Sequence, residues 1–113
     1  IALVQHYTYL KTHQCEDFIN SYTEKQRDKV GENQLDNCEN RYKDVTVKSI
    51  YPYNYLNEKS YGTKISDADD MVIFVVSIEY QLKNDYVEHF SFYKRVIKEN
   101  GEWKIGSGGT MLN

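Results

Sequence analysis

The chain has 113 residues, of which 40% are hydrophobic and 27% charged, with a formal net charge of −3. That is enough for one continuous core and too short for a cofactor domain beside a substrate domain, so a single domain over residues 1–113 is expected. The charges are mixed along the whole length, which leaves no basic stripe for a phosphate backbone and argues against nucleic-acid binding.

The first segment, Ile1 to about Thr12, sets Leu3, Val4, Tyr7 and Leu10 at helical spacing, with Gln5, Thr8 and Lys11 on the other side. A pattern that is helical from Ile1 onward predicts that a signal peptide, lipid anchor or further domain lies upstream. A second helix is expected from Glu16 or Asp17 to about Asp28, because two acids suit a helix N-terminus and Phe18, Ile19 and Tyr22 form an apolar patch. Gly31 and Asn33 then read as a break, and Leu35, Cys38 and Tyr42 as the buried positions of a third short helix.

From Val45 the period becomes two. Val45, Val47, Ser49, Tyr51, Tyr53 and Tyr55 would share one face of a strand, with Pro52 marking an edge or a bulge. Asn57 to Asp70 is polar and reads as a loop, with a short strand around Tyr61 to Ile65. Met71 to Leu82 and Tyr86 to Ile97 are two long strands about a turn at Lys83, Asn84 and Asp85. A three-residue turn pairs Ile78 with Phe90, Val76 with Phe92 and Val72 with Val96, one apolar face; a two-residue turn would mix apolar and polar residues on both faces. Glu99 to Gly101 is another turn, Glu102 to Ile105 a fourth strand, and Gly106 to Asn113 a flexible tail or closing edge.

Helices followed by a meander that ends in Tyr93-Lys94-Arg95-Val96-Ile97-Lys98-Glu99-Asn100-Gly101-Glu102-Trp103-Lys104-Ile105 resemble the nuclear transport factor 2-like (cystatin-like) superfamily. The resemblance covers nearly the whole chain and rests on element order and a strand, polar turn, Trp-x-Ile ending. It implies an α+β fold, a cone of three N-terminal helices on a curved antiparallel sheet of about four strands. In composition the chain is similar to small secreted or lipoprotein domains of Gram-positive bacteria, which implies an extracytoplasmic, cell-envelope setting. The superfamily's isomerases and dehydratases place an acid, a base and tyrosines inside the cone, but no Asp base is recognisable on the inward strand positions here.

Two readings of Cys15 and Cys38 stand side by side. As a disulfide they would close a loop of about 23 residues and add roughly 3 kcal/mol in an exported chain; otherwise they are two small buried hydrophobes. Neither they nor His6, His13 and His89 have metal-ligand spacing, so no metal and no cofactor are expected. The three-residue turn puts Glu79 opposite His89 and Ser77 opposite Ser91, with Tyr93 and Arg95 along the same face: a pH-sensitive contact, or an ordinary solvated pair. Met71, Ile73, Val75 and Ile97 make that outer face more apolar than solvent requires, a candidate homodimer surface. Tyr51, Tyr53 and Tyr55 offer rings for a peptide or glycan, and Trp103 reads as a core or rim anchor. The leading expectation is a non-catalytic binding or accessory domain whose partner is a protein, a peptide or a small apolar molecule. The alternatives are a cone-type isomerase, dehydratase or hydrolase, and a structural module of a larger envelope protein. A cone filled by Phe18, Tyr22, Phe90, Phe92 and Trp103 would exclude the enzyme.

Overall fold

A computed structural model describes residues 2–53 and 71–110. Helices α1 (Ala2–Lys11), α2 (Cys15–Asn20) and α3 (Glu24–Asp36) come first. A π-helical turn (Asn37–Arg41) leads into strands β1 (Tyr42–Pro52), β2 (Met71–Leu82), β3 (Val87–Glu99) and β4 (Glu102–Thr110). The strands form one antiparallel sheet in the order β1-β2-β3-β4, with the helices against one face. The fold is therefore α+β. No described helix is long and apolar enough to cross a membrane.

Helix α1 ends where the Gln14 N–H donates to the Tyr9 carbonyl at 2.8 Å and the His13 N–H to Leu10 at 3.2 Å. His13 sits in the left-handed region at φ 57°, so this is a Schellman closure. The helix buries Leu3, His6, Tyr7 and Leu10, whereas Val4, expected in the stripe, is 50% exposed. The apolar stripe is thus centred one residue further round, and it carries a histidine.

The expected boundaries of the next two helices are corrected. The break falls at Ser21–Thr23 and not at Gly31, because Thr23 caps α3: its hydroxyl accepts from the Gln26 N–H at 3.1 Å. Thr23-Glu24-Lys25-Gln26 has the Thr-x-x-Gln form of a capping box. Gly31 lies inside α3 and is buried, a Cβ there standing 3.4 Å from Arg27 Cγ and 3.7 Å from Ile19 Cγ2. A methyl group there would meet both neighbours at ordinary contact distance. Tyr42, assigned to a third helix, opens β1.

In the sheet, the ladder pairs Ile78 with Phe90, Val76 with Phe92 and Val72 with Val96, as the three-residue turn requires. Asp85 supplies the left-handed residue of that turn at φ 70°, and Asn100-Gly101, at φ 52° and 82°, the two-residue turn between β3 and β4. Strand β1 departs from its sequence pattern. Val45 and Val47 oppose Tyr80 and Ile78, but a bulge at Lys48 shifts the register, so that Ile50 opposes Val76 and Tyr51 opposes Val75. A bulge adds one unpaired residue, and every side chain beyond it changes face. Val45 and Val47 therefore do not share a face with Tyr51. Pro52 closes this edge strand, where its missing N–H costs no ladder bond. Strand β4 continues past Ile105 to Thr110, so the expected tail is a closing edge as far as that residue. The polar stretch 57–70, the short strand expected within it and Tyr55 lie outside the described residues.

The core joins Leu3, Tyr7, Leu10, Phe18, Tyr22 and Cys38 of the helical layer to Val45, Val76, Ile78, Val96 and Ile105 of the sheet. Full burial of each large side chain contributes about 1.5–3 kcal/mol. A Cys15–Cys38 disulfide fastens the start of α2 to the π-helical turn, across 23 residues of chain. The Glu99 carboxylate accepts from the Glu24 N–H at 3.1 Å, placing negative charge at the N-terminus of α3.

Candidate functional site

Alternation along β3 points Phe90, Phe92, Lys94 and Val96 to the face that carries the helices. Lys94 is the one charged residue in that series, set opposite Phe74 on β2 and Gly108 on β4. Its neighbours are apolar or aromatic, and its ammonium lies 5.4 Å from the centroid of the Phe92 ring. Burial pushes the Lys94 amine down to about 8. Among the described residues no carboxylate pairs with it. Gly108 makes room for the stem: a Cβ there would stand 3.1 Å from Lys94 Cδ and 2.2 Å from the Tyr93 carbonyl oxygen.

Lys94 lines a cavity of about 300 Å³ that opens between the helices and the sheet. Phe18 and Val30 from the helical layer and Phe92 from the sheet give it apolar walls. The phenols of Tyr7, Tyr22 and Tyr80, with the amides of Gln26 and Gln34, bring polar groups. Among the described residues, no carboxylate and no imidazole lines it. The Tyr7 hydroxyl is fully buried with no hydrogen-bond partner, a deficit that costs about 1–3 kcal/mol unless a ligand or water supplies one. Burial raises the Tyr7, Tyr22 and Tyr80 phenols above their ordinary range, so each is a neutral donor. Phe18, Tyr22 and Phe92 thus form walls and do not fill the space, while Phe90 and Trp103 are exposed.

Behind Phe18 and Tyr22 sits His6, 1% exposed, with ring centroids 4.5 Å and 4.7 Å from those two residues. Its Nδ1 is hydrogen-bonded to the Ser21 hydroxyl, which itself donates to the Phe18 carbonyl. A hydroxyl has one proton to give, so Nδ1 must be the donor. Burial, with the Lys94 charge adding to it, holds His6 well below its ordinary 6.5, and the ring is neutral.

The residues singled out from sequence are distributed differently. Glu79 does face His89 at 3.4 Å, with Lys48 at 3.5 Å from the same oxygen, and Ser77 meets Ser91 at 2.9 Å. This is an exposed pairing on the opposite face of the sheet from the cavity, worth tenths of a kcal/mol. Ile73 and Val75, expected as a surface for a partner, are each 3% exposed and so present almost no apolar area to a second copy. Tyr53 packs edge-to-face on Tyr93 at 4.9 Å, and Tyr51 is exposed. Trp103 is a rim residue, with Lys98 6.0 Å from its ring. Among the described residues no cluster of His, Cys, Asp or Glu has the makings of a metal site.

No family model and no curated protein matches the chain. Among solved structures it is similar to a SEC-C motif containing protein from Rhodopseudomonas palustris, with a TM-score of 0.66 over 98% of this chain and 77% of that one. The two share 9% sequence identity, so the likeness speaks for the fold alone.

Proposed function

We propose that this chain is a non-catalytic binding domain of the cone-shaped, nuclear transport factor 2-like type, acting outside the cytoplasm on a small, largely apolar ligand held between its helices and its sheet. The observation that carries this reading is the open cavity walled by Phe18, Val30 and Phe92, with a few inward polar groups, the usual make-up of a small-molecule site. Acid-base turnover of the isomerase kind needs a carboxylate or imidazole within reach of the substrate, and the described lining residues include neither. His6 is close by, but its Nδ1 is engaged by Ser21 and its ring is covered by Phe18 and Tyr22. The Cys15–Cys38 disulfide supports an oxidising compartment.

Titration with the neutral aromatic probe 2-naphthamide, followed by the backbone amide signals of Gly108 and Gly109, tests the reading. Saturable shifts in the native protein, abolished by Gln26→Trp at the wall of the cavity, are the expected result. An unresponsive native protein would overturn it.

A further inference from the structure

The strand register that builds the core also sets a half-buried cation at the wall of the cavity beside it. Lys94 occupies a position whose neighbours along the strand are Phe92 and Val96, and it faces Phe74 across the ladder. An ammonium partly withdrawn from water with no described carboxylate beside it is disfavoured, and a perturbed lysine set in a cleft is a candidate functional group. Tyr7 lines the same cavity, and its buried hydroxyl has no hydrogen-bond partner among the described residues. Gly108 keeps β4 clear of the lysine stem, a Cβ there standing 3.1 Å from Lys94 Cδ.

We propose that the cavity selects an organic acid: a monocarboxylate whose head pairs with the Lys94 ammonium and accepts from the Tyr7 hydroxyl, while its apolar body lies against Phe18, Val30 and Phe92. This rests on the ligand-binding reading above. An ionised carboxylate only accepts hydrogen bonds, and two unpaired donors with one positive charge are its complement. A neutral ligand would leave the ammonium unpaired. The other described groups facing Lys94 do not compete for the role. His6 from α1 is neutral, Tyr22 and Tyr80 keep their protons, Gln26 and Gln34 from α3 carry no charge, and β4 contributes glycines.

The matched probes 2-naphthoate and 2-naphthamide differ only in the head group, an anionic acceptor against a neutral amide, and calorimetry of both against the whole chain tests the assignment. Naphthoate should bind about tenfold tighter than naphthamide, the scale of one charge-assisted hydrogen bond. Lys94→Met should bring the two affinities together, removing that preference, and Tyr7→Phe should reduce it in part. The preference should also weaken with rising pH as the amine loses its proton, and the Lys94→Met protein should show no such dependence. Equal affinities in the native protein, or a preference that survives Lys94→Met, would overturn the assignment while leaving a cavity that binds apolar molecules. If neither probe binds, the ligand-binding reading fails as well.

Discussion

His6 on α1 and Ser21 at the end of α2 are joined by a hydrogen bond inside an aromatic enclosure formed by Tyr7, Phe18 and Tyr22. The bond ties the C-terminal end of α2 to α1 across a 15-residue separation in sequence. Truncation by His6→Ala should remove the ring and leave a void, costing about 3 kcal/mol in urea unfolding. A loss under 1 kcal/mol would mean that the site collapses around the missing ring.

The same histidine predicts an acid limit. Its folded value lies well below 6.5, so in mildly acidic solution the unfolded chain binds a proton that the folded chain refuses. Stability should therefore fall as pH drops below 6.5 toward the folded value, by up to about 1.4 kcal/mol per unit. His6→Phe should remove that part of the slope, as read from denaturant midpoints across the range.

Lys94 makes the complementary prediction on the alkaline side. With the folded amine at about 8 and the free one at 10.5, the penalty for burying the charge is fully present below 8 and is relieved as pH rises toward 10.5. Lys94→Met should stabilise the protein by about 2 kcal/mol at neutral pH and less in alkali. A destabilised variant would show that the lysine stem contributes more by packing than its charge costs.

Two neighbouring glycines should behave differently. At Gly108 a methyl group would lie 2.2 Å from the Tyr93 carbonyl oxygen, and at Gly109 nothing stands within 4 Å. Gly108→Ala should cost about 2 kcal/mol or more, and Gly109→Ala should stay within about 0.5 kcal/mol of the parent in thermal unfolding.

Much of the sheet was legible because the Lys83–Asp85 turn and strict alternation admit only one register that gathers Ile78, Val76, Phe90 and Phe92 together. The same alternation contains Lys94 between Phe92 and Val96, so the charge in the apolar face was readable too; the ladder was followed through its hydrophobic pairs and stepped past it. His6 was hidden for a related reason. Leu3, Tyr7 and Leu10 fit a stripe centred on either Val4 or His6, and only packing on the sheet decides between them. Gly31 was read as a breaker because glycine weakens helices, whereas the stronger signal was the Thr23 cap, which starts a helix that runs through it. Gly31→Ala should accordingly stabilise by about 0.5–1 kcal/mol, since the methyl group meets its neighbours at ordinary contact distance. The bulge at Lys48 carries no sequence mark.

The link between α2 and α3 does more than change direction. The Thr23 N–H donates to the Ile105 carbonyl and the Ile105 N–H to the Ser21 carbonyl, both at 2.9 Å, so residues 21–23 occupy hydrogen-bonding positions along the outer edge of β4. At the other end of the sheet, β1 is interrupted by the Lys48 bulge and closed by Pro52. Neither margin offers a long, straight row of open amides and carbonyls, the template on which strands of separate molecules zip together into aggregates. A chain with eleven tyrosines and long β-branched strands would otherwise be prone to such growth, and the helical layer guards against it as well as covering the core.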